Sequence, residues 1–222
     1  MAMATAAPLP VEVWADVACP WCWMGHARLR AALAEEPPGS VEVRPRAFEL
    51  QPGLPPEGMA VEDFYPRRFG SAEAMRDAFV RSATEARRAG LEIRYDRMRR
   101  APNTRLAHRA VALAAREGHA LAVLDALFTA HFHDGEDVSD IDVVVDRAAG
   151  AAPGLDREAL RAALEAGEGE AEVAADEAQA ARLGVTGVPF FLAGGVVAVS
   201  GAHEPELMRK LVAAARQRLA AA

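Results

Sequence analysis

The chain has 222 residues, 51% of them hydrophobic and 26% charged, with a formal net charge of -7. This is the composition of an ordinary globular protein of one large or two small domains, not of a disordered or fibrous chain. No run approaches the roughly 18 apolar residues of a spanning helix, and the acidic balance disfavours nucleic acid and anionic lipid, so neither membrane nor nucleic acid is expected as a partner.

Met1–Pro10 has no basic residue and no long apolar stretch, so it does not read as a secretory signal, and a cytoplasmic location is the expectation. Val11, Val13, Trp14 and Val17 form a β-branched and aromatic run that predicts a strand. From Pro20 to Leu33 the apolar residues recur at helical spacing, and Pro37-Pro38-Gly39 ends the helix. Pro20 suits the first helical turn, where its missing donor has no partner anyway.

Both cysteines of the chain, Cys19 and Cys22, lie at this strand-to-helix junction with Pro20 and Trp21 between them. A bridge closing so short a loop removes little unfolded-state entropy, and a reducing compartment disfavours it, so a purely stabilising disulfide is not expected. Structural zinc takes four protein ligands, of which this pair supplies half. His131 and His133 are the nearest candidates for the rest, but two residues apart on a helix they do not face each other. No metal is expected, and these histidines read as solvated or helix-capping.

Redox chemistry fits better, because the open amides of a helix N-terminus favour the thiolate that attacks disulfides. All three tryptophans, Trp14, Trp21 and Trp23, cluster around the pair. Trp14 and Trp23 read as core, whereas Trp21, between two reactive cysteines, reads as an exposed apolar face for a substrate or partner.

Val41, Val43 and Phe48 alternate with charged residues and predict a second strand, parallel to the first because a helix connects them. Gln51–Gly58 is a linker by composition. Beyond it the pattern turns to almost continuous helix. Ala74, Met75, Ala78, Phe79 and Ser82 share a face; Asn103 or Thr104 caps a helix bearing Leu106, Ala110, Val111 and Leu113; Leu121, Leu124, Leu127 and Phe128 mark another. Ile141, Val144 and Val145 follow, capped by Asp140, and Asp156–Ala166 and Glu168–Leu183 complete the series. Val188–Leu192 and Val196–Val199, joined by Ala193-Gly194-Gly195, predict a hairpin. A last helix starts at Pro205 with Leu207, Leu211, Val212 and Leu219 on one face.

This order, with Cys-x-x-Cys opening the first helix, resembles a thioredoxin-like fold interrupted by a large all-helical insertion, the α/β architecture of the DsbA family. The segments Asp16–Gly25, Asn103–Arg109, Gly184–Phe191 and Val199–Ala202 resemble its FrnE-like branch, and the likeness runs from residue 11 to residue 222. It implies a thioredoxin-like domain made of 1–55 and 168–222, with a helical subdomain over 56–167 and a substrate cleft at their boundary.

Carried over residue by residue, the resemblance implies that Cys19 is the nucleophile and Cys22 the resolving thiol. It further implies that Val188–Pro189 is a cis bond presenting the Val188 backbone to an extended substrate. Pro20, Trp21, Val188 and Pro189 are then the expected substrate-binding residues. DsbA itself has histidine where Trp21 stands, so this pair should be less oxidising. His203 replaces a glutamine common in the branch and reads as a neutral loop residue.

The expected activity is thiol–disulfide exchange through Cys-Pro-Trp-Cys, with no bound cofactor and with glutathione or another small thiol as co-substrate. Its partners are a disulfide- or dithiol-containing protein or small molecule and a recycling reductase or thiol. The alternative is a glutathione-dependent isomerase or transferase on a small aromatic substrate, as in 2-hydroxychromene-2-carboxylate isomerases and kappa-class glutathione transferases, which share the fold but typically keep serine at the Cys19 place. A non-enzymatic scaffold with vestigial cysteines is a third reading.

Overall fold

Four strands form the central sheet in the order β2-β1-β5-β6: β1 Leu9–Ala15, β2 Val41–Ala47, β5 Phe190–Ala193 and β6 Val197–Ser200. The structure is a computed structural model and describes residues 7–221, so most of Met1–Pro10, and residue 222, lie outside the described residues. β1 and β2 run parallel, joined through helix α1 (Pro20–Leu33) as the sequence predicts, while β5 is antiparallel to both β1 and β6. Pro45 is tolerated in β2 because that strand is at the sheet edge, where a missing donor breaks no second ladder.

One face of the sheet packs Val11, Val13 and Phe191 against Leu29 of α1 and Met208, Leu211 and Val212 of the terminal helix α9, Pro205–Ala220. On the other face Trp14 is fully buried near Ala180 of α8, Glu170–Arg182, and donates its indole N–H to the Asp176 carbonyl at 3.0 Å. The stripe of α9 departs from expectation. Met208 and Ala215 join Leu211 and Val212 in the core, Leu207 is half-buried, and Leu219 near the C-terminus is 46% exposed.

Three strands near the site have bounds that differ from those expected. β1 stops at Ala15 because Asp16 makes a turn: its carbonyl accepts from Cys19 N–H at 3.0 Å and its carboxylate from Ala18 N–H at 3.0 Å, leaving Val17 buried but outside the strand. Phe48 falls just past the end of β2, and β5 begins only at Phe190, after Pro189.

The helical layer comprises α2 (Val61–Phe69), α3 (Ala72–Arg88), α4 (Arg105–Ala115), α5 (Ala120–Thr129), α6 (Ile141–Ala151) and α7 (Arg157–Glu165). It also carries a short antiparallel ladder, β3 (Met59–Ala60) with β4 (Arg100–Ala101), and a π-helical turn over Ala130–Asp134, neither of which the sequence reading picked out. Helix α2 was not singled out either, since Pro66 lies inside it. Asp140 and Asp156 cap α6 and α7, accepting from Asp142 and Ala159 N–H. For α4 the bonding side chain is Asn103, whose Oδ1 accepts from Arg105 N–H at 3.0 Å.

Buried Arg28 of α1 joins the two layers. It pairs with Glu85 of α3 and with Glu204, and donates to the Ala202 carbonyl at 2.7 Å, so the carbonyl-rich turn before α9 is tied to the helical layer. His131, expected to be solvated or capping, is instead 1% exposed in the π-helical turn, with its ring edge-on to Phe132. Residue spacing does not report burial, and this turn passes through the helical core. Among the described residues no helix is long and apolar enough to cross a membrane.

Candidate active site

Cys19 is the N-cap of α1, in extended conformation, and Pro20 takes the first helical position. The first turn of α1 contains no acidic side chain, so no carboxylate of the helix itself offsets its positive end at the sulfur. Cys19 and Cys22 are both unbridged. Trp21, between them, is 42% exposed, whereas Trp14 and Trp23 are buried, as their positions predicted.

Across from α1, the Val188–Pro189 peptide bond is cis. The Val188 carbonyl lies 3.9 Å from Cys19 Sγ, a long contact of thiol to oxygen, and the Val188 N–H has no partner among the described residues. Gly25 explains how closely the two elements approach. A Cβ at this position would lie 2.8 Å from Pro189 Cγ and 3.1 Å from Phe191 Cζ, so only glycine lets α1 rest on the proline ring.

Cys22 sits behind, 1% exposed, its Sγ accepting from the Asp16 backbone N–H at 3.5 Å. Burial, with Cys19 beside it, pushes the Cys22 thiol well above its ordinary range, so it is held protonated. Asp16 is a residue to which sequence reasoning gave no role. Burial alone would raise its carboxyl, but His108 and the N–H groups of Leu50 and Ala18 outweigh that and hold it below the ordinary carboxylate range. The Leu50 N–H bond is 2.6 Å, and His108 Nε2 stands 3.6 Å from Asp16 Oδ1, imidazole and carboxylate both being buried. One signal was available: Asp16 is the lone charged residue between Val13 and Met24.

In front of Cys19 opens a cavity of about 300 Å³ at the boundary between sheet and helical layers, where the cleft was expected. Cys19, Pro20 and Trp21 form its floor, and Phe64 and Tyr65 of α2, Phe79 of α3 and Tyr95 form much of its wall. Val188 and Pro189 flank Cys19 from the sheet side and do not line this cavity. The structure thus brings the four residues expected to bind substrate around one sulfur, but on two sides of it. Asn103 braces the wall, donating to the Leu54 carbonyl at 2.8 Å. His203 is exposed and bonds the Ser200 carbonyl at 2.8 Å. No group of three or more His, Cys, Asp or Glu side chains that could hold a metal ion occurs among the described residues.

Comparison with known proteins agrees with this geometry. The model of the DSBA-like thioredoxin domain matches residues 10–213. A Bacillus subtilis protein, uncharacterized YwbO, is 26% identical over 208 residues, covering 91% of this chain and 94% of its own. The solved structure of a probable DsbA oxidoreductase from Streptomyces coelicolor is 36% identical with a TM-score of 0.84, over 94% of this chain and 90% of the other. The cytosolic disulfide reductase DsbM of Pseudomonas aeruginosa, solved with glutathione, shares the fold at 20% identity and a TM-score of 0.65, over 94% of this chain and 100% of its own.

Proposed function

The chain belongs to the DSBA-like thioredoxin domain family, and from that membership we propose that it is a thiol–disulfide oxidoreductase working through Cys19 and Cys22. The Cys19 thiolate attacks a substrate disulfide, one substrate sulfur leaves with the bonding electron pair, and a mixed disulfide remains. Cys22 then gives up its proton, to the departed substrate thiolate or to water, and attacks Cys19 Sγ, breaking the mixed disulfide and releasing the second substrate thiolate. Two electrons pass to the substrate, leaving Cys19–Cys22 oxidised. The reverse sequence donates the disulfide. A low-molecular-weight thiol such as glutathione, or a reductase, returns the pair to the dithiol, and no bound cofactor enters the cycle.

The observation that carries this reading is the unequal pair itself: both sulfurs are buried, but Cys19 at the helix end lines the cavity, while Cys22 lies behind it, off the lining and kept protonated. A nucleophile that reacts first and a resolving thiol that waits need this asymmetry. Trp21 and Pro20 border the substrate from the cavity side, and the unpartnered Val188 N–H and its carbonyl offer strand-type bonds from the other. A reducing cytoplasm is the compartment we assign, in line with the cytosolic relative.

The test is a pair of substitutions. Cys19→Ser abolishes turnover of model disulfides, and Cys22→Ser accumulates a covalent mixed disulfide on Cys19, seen as the added mass in intact-protein mass spectrometry. Full disulfide-reductase activity in Cys19→Ser would refute the assignment. The aromatic cavity supports a second reading, glutathione-dependent isomerisation or transfer on a small aromatic substrate. That reading requires glutathione-dependent turnover that survives Cys22→Ser.

A further inference from the structure

The cavity in front of Cys19 has a charge arrangement that disulfide exchange alone does not require. Its walls are aromatic. Phe79 and Tyr95 stack with centroids 3.9 Å apart and planes 4° from parallel, and Tyr65 meets Phe79 edge-on at 5.2 Å. Tyr95 shares a 2.7 Å hydrogen bond with Ser82, and burial pushes its hydroxyl up to about 12. Burial raises Tyr65 as well, so both phenols stay neutral.

Three charged side chains line the space: Asp16, Arg68 and Arg81. Asp16 is at the sulfur end and its oxygens are already taken by the N–H groups of Ala18 and Leu50. Arg68 of α2 and Arg81 of α3 are exposed and line the same space, and neither makes an ion pair or side-chain hydrogen bond among the described residues. Many other guanidinium groups are engaged, Arg28, Arg46, Arg105, Arg116 and Arg147 each holding two or more carboxylates; Arg67, Arg76 and Arg182 are also without a partner among the described residues, but of the unpaired arginines Arg68 and Arg81 are the two that line the cavity. Two unpaired cations over an aromatic chamber, with a thiol at its floor, describe a complementary ligand.

We infer that the cavity takes a low-molecular-weight disulfide whose sulfur is carried on an aromatic ring bearing an anionic group. The ring lies among Phe64, Tyr65, Phe79 and Tyr95, the anion meets Arg68 and Arg81, and the disulfide reaches Cys19. A volume of about 300 Å³ is at the small end for ligand sites and accommodates one or two rings. Planar guanidinium groups suit carboxylate-type anions.

The inference deepens the dithiol reading and rests on it for the chemistry. Cys19 thiolate attacks one ring-borne sulfur, the S–S bond breaks, and the first aryl thiolate leaves with the electron pair. Cys22 passes its proton to water and attacks Cys19 Sγ, so the mixed disulfide breaks and the second aryl thiolate leaves. One disulfide is reduced to two aryl thiolates for each dithiol oxidised.

The experiment compares the reduced protein with mercaptoethanol, whose rates remove the intrinsic reactivity of each reagent. Three probes are used by stopped flow: dithiobis(nitrobenzoate), anionic and aromatic; dithiodipyridine, neutral and aromatic; and hydroxyethyl disulfide, neutral and aliphatic. The protein is expected to favour them in that order after normalisation. Arg68→Gln with Arg81→Gln should lower the ratio of anionic to neutral aromatic rates by about tenfold or more, the weak end for a charge-assisted hydrogen bond. Arg67→Gln with Arg76→Gln removes equal charge from the same two helices outside the cavity and should change the ratio by less than about twofold.

An equal fall in both double variants would mean general electrostatic steering and would overturn the inference. So would an unchanged ratio in the first, or no preference for the anionic ring. If the wild type reacts with none of the probes, the dithiol reading fails instead. The cavity is then tested with naphthoate against the Cys19→Ser, Cys22→Ser protein by calorimetry, where binding weakened about tenfold by the Arg68 and Arg81 changes sustains the site and absence of binding overturns it.

Discussion

Cys22 and His131 are both buried, and burial moves their proton equilibria in opposite senses: the thiol is kept neutral by a raised pKa, the imidazole by one pushed down to about 4 from an ordinary 6.5. The imidazole has a consequence for stability. Between these values the unfolded chain binds a proton that the folded one refuses, so the favourable contribution is complete above about pH 6.5 and is lost as pH falls toward 4. The loss amounts to about 3 kcal/mol at the acid end. Urea unfolding at pH 7, 5.5 and 4 should show a steeper acid decline for the wild type than for His131→Gln; parallel declines would contradict it. At this scale the sequence disclosed what is local. The spacing of Cys19 and Cys22, the helical place of Pro20 and the exposure of Trp21 follow from neighbours in the chain. The partnership of Asp16 with His108, 92 positions apart by number, and the burial of His131 depend on packing between distant elements, and spacing does not encode it.

Helix α1 positions the reactive sulfurs only because it can lie directly on Pro189, just ahead of β5. Gly25 permits this, and Gly25→Ala would drive a methyl group to 2.8 Å from Pro189 Cγ. The proline ring is anchored at the start of β5, so helix and strand must part. The expected cost is about 1–3 kcal/mol for overpacking, set against a gain of up to about 1 kcal/mol for alanine in a helix. Reaction with model disulfides should slow as Cys19 moves away from Val188. An unaltered melting temperature and an unaltered rate would show that the approach is not tight. Elements with a clean period were legible: the parallel β1-α1-β2 unit, the β5–β6 hairpin and the capped helices α6 and α7. Helix α2 was not, because Pro66 interrupts its reading and none of its residues is fully buried, leaving no strong apolar stripe. The β3–β4 ladder was not, because two-residue strands carry no alternation to detect and are made by contact between segments some forty residues apart. These two unread elements border the cavity, so the chamber's aromatic wall was the part of the site least visible in the sequence.

Across the whole molecule, one apolar core runs through the helical layer and includes Ala15, Val17, Cys19, Cys22, Trp23 and Met24 from the β1–α1 junction. The reactive pair is therefore embedded in the core of the inserted helices, and Arg28 ties the same helix to α3. The proposed division into 1–55 with 168–222 and a subdomain of 56–167 describes chain order; a shared core implies that the two parts unfold together. All three tryptophans lie between Trp14 and Trp23, on the sheet side of that division, while the helical signal comes largely from the insertion. Fluorescence and far-ultraviolet circular dichroism should thus give coincident urea transitions, and separated ones would mean independent units. Whether Cys19 and Cys22 form one redox couple is read by equilibrating the protein in glutathione buffers of graded potential and following tryptophan fluorescence with thiol counts by mass spectrometry. A single two-electron transition between dithiol and intramolecular disulfide is expected, at a potential below that of DsbA because Trp21 brings no charge to the pair. A protein that keeps both thiols free across the whole range, or that takes up glutathione on Cys19 without ever forming the internal bridge, would contradict it.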